Sequence, residues 1–272
     1  MKKLFFIIPI IFFLNAEELK VISYNIRYNN PNDGINIWEN RKSTITKFLI
    51  DENPDFAGLQ EVTFSQLSFL TESLINYSFI GVGRDDGKTK GEYSPIFYNN
   101  KKYKVVSSKT FWLSSTPEKV SVGWDASMER ICTYGLFENL SSKEKVWVFN
   151  THFDHIGNKA REKSTDLILK KINEIKSMGN PIILTGDFNL NDNDSSIKKI
   201  QSQMKDVLLK INKSDTHYET YNGFKNMIES KRRIDYIFVN NIKIKKAKNI
   251  HLKTPYGGWA SDHHPVLSIL KL

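Results

Sequence analysis

Apolar and polar positions follow two rhythms along this chain, and the rhythm changes mark the elements. "LKVISYNIR" (residues 19–27) is rich in β-branched residues and halts at the turn-forming "NNPNDG", so a strand is predicted there. Over residues 39–51 the spacing becomes helical, with Ile45, Phe48 and Leu49 on one face. "DFAGLQE" (55–61) then reads as a short buried strand after Pro54, and residues 64–75 as a second amphipathic helix. From about residue 77 to 152 strand patterns dominate: "YSFIGVG", "SPIFYN", "KVVSSKTFWL", "RICTYGLFE" and "VWVFNTHF". A long helix is predicted over 159–177, stopped by Gly179-Asn180-Pro181. "PIILTGDFN" is a buried strand running into a loop, and "RIDYIFV", "IKIKKAKNI" and "PVLSIL" close the chain as strands. Strands therefore come in two runs interrupted by helices. That pattern predicts two sheets packed face to face with helices outside, a layered α/β sandwich rather than a doubly wound sheet.

The first residues, "MKKLFFIIPIIFFLNA", do not belong to this pattern. Two lysines, an apolar stretch and a small-residue exit have the layout of a secretory signal peptide ending at Ala16. The stretch is short for a membrane span, and no later apolar run is long enough for one. The expectation is an exported protein, periplasmic or secreted, with a single domain over residues 17–272. Cys132 is the only cysteine, which excludes an internal disulfide and a thiolate metal site. The formal charge of +9 includes Lys2 and Lys3 of the leader, and much of the rest sits in "KKYK", "KRR" and "IKIKKAKNIHLK". A positive surface draws anionic partners, although lysines far from any motif are as readily explained as a solvated face.

Chemistry enters at the strand ends. Asn25 ends "VISYN", Glu61 ends "FAGLQE", His152 ends "VWVFNTH", and Asp187 and Asn189 close "PIILTGDFN". Asp235 lies in "RIDYIFV", and Asp262-His263 precede "HPVLSIL". Each alone is an ordinary turn residue or surface ion pair, but six such sites would converge if the strands pack side by side. In "GDFN", alternation puts Asp187 and Asn189 on one face while Phe188 turns inward. The carboxylate suits a hard cation or a polarised water, and the amide suits a phosphoryl oxygen. Asn25, Glu61, Asp187 and Asp262 are oxygen donors, the habit of Mg²⁺, with Mn²⁺ able to substitute. HExxH zinc spacing, a GxxxxGK[ST] loop, a GxGxxG turn and a GxSxG elbow are all absent. Hydrolysis of a phosphate ester is the chemistry these residues suit.

The ordered set "SYNIR", "LQE", "NTHFDH", "GDFN", "RIDYIFV" and "SDHHPV" resembles the endonuclease/exonuclease/phosphatase superfamily over nearly the whole of residues 17–272. The resemblance implies a four-layered α/β sandwich, with two central, mostly antiparallel sheets between helices. It implies that Asn25 and Glu61 hold a divalent cation with Asp262 nearby, and that Asp187 and Asn189 position or deprotonate the attacking water. Asn189 would also touch the phosphate. His263, oriented by Asp235, would donate to a phosphoryl oxygen, and His152 would assist the leaving oxygen. By the deoxyribonuclease branch, Glu92 would orient His152.

Beyond that set, Arg130 and Arg27 are candidate phosphate ligands, each with an ordinary ion pair as the alternative. "NNPNDGINIWENR", with Asp33, Trp38 and Arg41, is a candidate lid. Substrate stays open among a small phosphomonoester or phosphodiester, DNA or RNA, and sphingomyelin. Basic charge and Tyr93, Trp112, Trp124 and Trp259 favour nucleic acid, yet Trp112 and Trp147 suit the core better. Export and Tyr256 with Trp259 favour lipid, but the charged loop "GRDDGKTKGEY" offers no apolar wedge. A non-catalytic module keeping the fold should have lost Glu61, His152, Asp187 or His263, and all four stand. No protein partner is implied and a monomer is expected. Alternation assigns chemistry to His263 and a structural or rim role to His264, which Pro265 holds extended.

Overall fold

A computed structural model describes residues 18–209, 218–225 and 232–272. The segment read as a signal peptide, residues 1–16, lies outside the described residues. The chain opens with β1 (Glu18–Asn25), α1 (Trp38–Glu52), β2 (Phe56–Gln60) and α2 (Phe64–Ser73). There follow β3 (Tyr77–Ile80), β4 (Ile96–Asn99), β5 (Tyr103–Trp112), β6 (Ile131–Asn139) and β7 (Lys145–His152). After α3 (Asn158–Lys176) come β8 (Ile182–Asp187), α4 (Ser195–Gln201) and β9 (Lys205–Asp206). The last strands are β10 (Asp235–Asn240), β11 (Lys243–Asn249) and β12 (Val266–Lys271). Every predicted element is present. The sequence reading missed α4, whose seven residues sit in the polar run "NDNDSSIKK", and β9, too short for any period to show. Asp194 marks the start of α4 by accepting a hydrogen bond from Ser196 N, 2.8 Å.

The strands form two six-stranded sheets, ordered β11-β12-β1-β2-β4-β3 and β5-β6-β7-β8-β10-β9. Each is antiparallel except for one central parallel pair, β1 with β2 and β7 with β8. Three apolar clusters separate four layers. Ile22, Tyr24, Ala57 and Leu59 of the first sheet pack on Ile45, Leu49, Leu67 and Leu70 of α1 and α2. Phe149, Leu184, Tyr236 and Phe238 of the second pack on Ile168, Ile172 and Ile197 of α3 and α4. Leu19, Val21, Phe56, Val148, Ile183 and Ile237 fill the space between the sheets. The expected four-layered α/β sandwich is what folds. Among the described residues no helix is long and apolar enough to cross a membrane.

The same alternation builds the rim. If Val21, Phe56, Val148, Ile183 and Ile237 face the other sheet, so do Ser23 and Asn25, Gly58 and Gln60, Asn150 and His152, Thr185 and Asp187, and Asp235. The space between the sheets is thus apolar at one end and polar at the other. Its polar layer is buried and linked by hydrogen bonds, with Gln60 Oε1 and Asp235 Oδ1 left without a partner. Gln60 Nε2 donates to Asn150 Oδ1 at 2.6 Å, while Asn150 Nδ2 donates to the carbonyls of Leu59 and Pro95 at 2.7 and 2.9 Å. Thr185 Oγ1 donates to the same Asn150 oxygen, and Ser23 Oγ accepts from Gly186 N, both at 3.0 Å. These bonds stitch the sheets together directly below the rim. Gly58 makes room for them, since a Cβ there would stand 2.1 Å from Thr185 Oγ1 and 2.7 Å from Asn150 Oδ1.

Candidate active site

Register puts three chemical residues in one row. His152 lies beside Asp187 across the parallel β7/β8 ladder, and Asp187 lies opposite Asp235 across the antiparallel β8/β10 ladder. His263, just before β12, comes down on this row from the other sheet. Its Nδ1 is 2.8 Å from Asp235 Oδ2, and its Nε2 is 3.8 Å from Asp187 Oδ2. Tyr221 packs edge-on against its ring at 5.1 Å. Thr220 Oγ1 accepts from the amides of Ile234 and Asp235, fixing the start of β10.

Charge sorts these groups. Burial works against an imidazolium at His263, but Asp235 and Asp187 outweigh it and hold this histidine well above its ordinary value. Asp187 is pushed up to about 7 by burial and by Asp235, against the pull of His263 and hydrogen bonds from Asn25 and Asn189. His152 goes the other way: burial, with the Arg130 and Arg84 guanidiniums beside it, holds it well below its ordinary value. The floor therefore carries one protonated and one neutral histidine on either side of a carboxylate that titrates near neutrality.

Asn189 completes the row from a left-handed backbone, φ 50°. That conformation lets its amide donate to Asp187 Oδ1 at 2.9 Å, while Nδ2 donates to Phe153 O at 3.1 Å and lies 3.2 Å from His152 Nε2. Arg27 (58°) and Glu61 (61°) also have positive φ, so three candidate site residues carry backbone strain that the surrounding fold sustains.

Asn25, Glu61 and Asp262 come together at the end of the first sheet. Asn25 Nδ2 donates to Glu61 Oε1 and to Asp187 Oδ2, both at 3.0 Å. Arg27 Nη1 stands 4.0 Å from Glu61 Oε2 and 3.9 Å from Asp262 Oδ2, so one cationic group already lies between the two carboxylates. Two convergent carboxylates and an amide are a donor set that fits a hard divalent cation. Asp187, Asp235 and His263 form a second buried group, with ligand atoms within 4.8 Å of one another, that could hold an ion. The direct His263–Asp235 bond and the protonated state of His263 favour its use as a carboxylate–histidine pair instead.

Above the floor is a cavity of about 550 Å³, walled by Arg27, Arg84, Glu92, Arg130, His155 and Arg232 among others. Arg130 is buried, with Nε 3.4 Å from Asp154 Oδ2 and Nη2 donating to His155 Nδ1 at 3.0 Å. Its Nη1 is fully buried and has no hydrogen-bond partner. Arg27 is gripped by Asp33, with two bonds of 3.0 Å.

Several expectations are corrected. Glu92 does not orient His152: its carboxylate is held by Arg84, with Nη1 to Oε2 at 2.7 Å and Nη2 to Oε1 at 3.2 Å, and no hydrogen bond links it to His152. Of the candidate lid, Asp33 reaches the site only through Arg27, and Trp38 and Arg41 are core. Arg41 donates to the carbonyls of Asn36, Ile26, Ala260 and Arg27, bracing the exit of β1. Of the aromatics offered for nucleic acid, Tyr93 and Trp259 are buried, with Trp259 Nε1 donating to Lys225 O, while Trp112 and Trp147 are core as expected. In "KRR", Arg232 lines the cavity, whereas Arg233 is buried in an ion pair with Asp206. Arg84, His155, Tyr221 and Arg232 were missed as site residues, although Arg84 begins the polar loop that reaches Glu92, His155 closes "NTHFDH" and Arg232 stands in "KRR".

Such a row of carboxylates and histidines on the rim of a β-sandwich defines a phosphoesterase-type site, and comparison places the chain within that class. The sequence model of the Endonuclease/Exonuclease/phosphatase family matches residues 22–263, and the chain belongs to this family. A solved endonuclease/exonuclease/phosphatase from Bacteroides vulgatus is 38% identical, with TM-score 0.87, over 94% of this chain and 99% of that one. A mannosyl-6-phosphatase from Bacteroides thetaiotaomicron is 36% identical, with TM-score 0.84, over 93% and 100%. An uncharacterized protein of Acanthamoeba polyphaga mimivirus is 31% identical over 183 residues, 64% of this chain and 68% of its own length.

Proposed function

We propose that this protein hydrolyses a small phosphate monoester with a divalent cation, Mg²⁺ or Mn²⁺, held by Asn25, Glu61 and Asp262. The cation supplies Lewis-acid stabilisation of charge on the phosphoryl group. Asp187, poised near neutrality, takes the proton of the attacking water, and Asn189 keeps the carboxylate oriented. The His263 imidazolium, fixed by Asp235, donates to a phosphoryl oxygen, where a preorganised charge counts most. Neutral His152 lies on the other side of Asp187 and serves the leaving side of the phosphate as a hydrogen-bonding group.

The observation that carries this reading is the cavity of about 550 Å³ above the carboxylate–histidine floor, with the guanidiniums of Arg27, Arg84, Arg130 and Arg232 in its wall. A guanidinium of that kind suits a terminal phosphate, and a cavity of that size suits a small molecule. Burial of Tyr93, Trp112 and Trp259 removes most of the stacking surface that a nucleic acid would use. The 36% identical relative named as a mannosyl-6-phosphatase supports the same choice. A Mg²⁺-supplemented screen of mannose 6-phosphate, p-nitrophenyl phosphate, bis-p-nitrophenyl phosphate, plasmid DNA and sphingomyelin tests it. Monoester hydrolysis lost with EDTA is expected; activity confined to DNA or sphingomyelin would sink the reading. Export by the leader of residues 1–16 and a monomeric state belong to the same proposal. N-terminal sequencing of the exported protein, starting at Glu17, and light scattering check them.

A further inference from the structure

The loop between β3 and β4 of the first sheet carries a feature that phosphate chemistry does not use. Arg84 and Glu92 stand at the two ends of one loop and face each other through a forked pair, 2.7 and 3.2 Å. Backbone bonds fix both: Arg84 N donates to Glu92 O at 3.1 Å and Asp85 N to Lys90 O at 3.1 Å. Asp86 Oδ1 accepts from the amides of Lys88 and Lys90 at 2.7 and 3.0 Å. From the core, Tyr93 donates to Lys88 O and Trp112 Nε1 to Arg84 O, at 2.9 and 2.7 Å. Gly91 is required here: it has φ 78°, and a Cβ would stand 2.2 Å from Asp85 Oδ1. The pair is therefore rigid before any ligand arrives, and both residues line the cavity.

We propose that the Arg84–Glu92 pair is a hydroxyl-reading subsite, and that the substrate is the phosphate ester of a polyhydroxylated molecule of sugar size. This rests on the monoesterase reading above. A paired guanidinium and carboxylate carry no net charge, so they do not ask for a second anionic group. Of the guanidinium's five N–H groups, two make the fork, one meets Met128 Sδ at 3.1 Å and that of Nε is buried, which leaves one Nη1 donor beside a carboxylate whose roughly four lone-pair sites are only half used. Adjacent hydroxyls both donate and accept, which is the pattern such a pair meets. Arg130, in the same cavity wall, takes the phosphate end. His155 adds a further polar group, its Nδ1 committed to Arg130 so that the ring proton sits on Nε2. A base or an acyl chain offers no such series of hydroxyls.

The test compares mannose 6-phosphate with cyclohexylmethyl phosphate, a monoester of similar size lacking hydroxyls. Wild-type protein should favour the sugar by about tenfold or more in kcat/KM, because an analogue that leaves buried polar groups unpaired is rejected. Glu92→Gln and Arg84→Lys should each collapse that preference through a higher KM for the sugar. If Glu92→Gln fails to fold, as judged by thermal melting, the Arg84→Lys ratio decides. Equal wild-type use of both esters overturns the subsite while leaving the monoesterase reading intact. An equal fall in kcat for both esters in the variants also overturns it, and assigns the pair to the chemistry. Hydrolysis of neither ester, with activity on DNA or sphingomyelin, removes the parent reading and the subsite together.

Discussion

Asp187 and Asp235 stand directly opposite each other on adjacent antiparallel strands, and His263 Nδ1 closes on Asp235 at 2.8 Å. Two carboxylates so placed cannot both hold a full charge in a buried site without a cation between them. The imidazolium of His263 is that cation, and burial, with the residual repulsion from Asp235, raises the affinity of Asp187 for its proton.

A pH profile follows from this pairing. The base form of Asp187 is the unprotonated one, so kcat/KM should rise with pH to a plateau, with an acid limb near 7. His263 stays protonated across that range because its own value is raised. Asp187→Asn should lower kcat by about 10²–10⁴-fold and abolish the limb. An unchanged limb in that variant would remove Asp187 from the role of base.

The adjacent histidines should separate in a paired mutagenesis experiment. His264 is buried on the far side, its amide donating to Thr220 O at 2.7 Å and its ring stacked on His251 at a 4.1 Å centroid distance. His264→Ala should cost roughly 2–4 kcal/mol of stability by loss of packing, with kcat nearly retained. His263→Ala should keep the fold and lose kcat by about 10²–10⁴-fold. Equal loss of activity in two folded variants would contradict this division.

Asp154 should make stability depend on acid. Burial raises its pKa, but hydrogen bonds from Gly157, Ser127 and Ile156 and the charge of Arg130 outweigh that and depress it overall. A depressed carboxylate contributes stability above its unfolded value of about 3.9, and loses it as pH falls below that. Asp154→Ala should therefore cost about 1–3 kcal/mol at neutral pH. The gap in Tm from wild type should shrink below about pH 4. A pH-independent gap would show that shape, not charge, was removed.

Gly58→Ala tests the closeness of the sheets. The added methyl meets Thr185 Oγ1 and Asn150 Oδ1, neither of which can retreat without breaking the bonds that span the interface. A loss of about 1–3 kcal/mol is expected. Because the proposed cation ligands sit on one sheet and His152, Asp187 and Asp235 on the other, kcat should fall as well. Full activity with full stability would show that the sheets have slack.

The strands and long helices were legible because each carries an uninterrupted period: alternation in "VISYN" and "VWVFNTH", helical spacing over Ile45, Phe48 and Leu49. The floor was legible for the same reason, since alternation and motif order assign Asn25, His152, Asp187 and Asp235 to one rim. The walls were not. Arg84 and Glu92 meet because a loop folds back on itself, and Arg232 enters the cavity while Arg233 is buried beside it. Such facts live in loop geometry that no period encodes. Glu92 shows the hazard most clearly, for its position fits an orienting role toward His152, yet a nearby arginine claims its carboxylate. Asn189 and Glu61 depend on left-handed backbone that a residue's identity only weakly signals.

The first sheet is built from both ends of the described chain, with β12 lying beside β1 and bringing Asp262 and His263 to a floor whose other members lie far upstream. A partly folded molecule in which that strand has not yet docked has a second sheet with its row of His152, Asp187 and Asp235, but no imidazolium donor and an incomplete cation site. Under the proposed mechanism hydrolysis therefore requires β12 to be docked on β1, so turnover in a refolding mixture would report that contact.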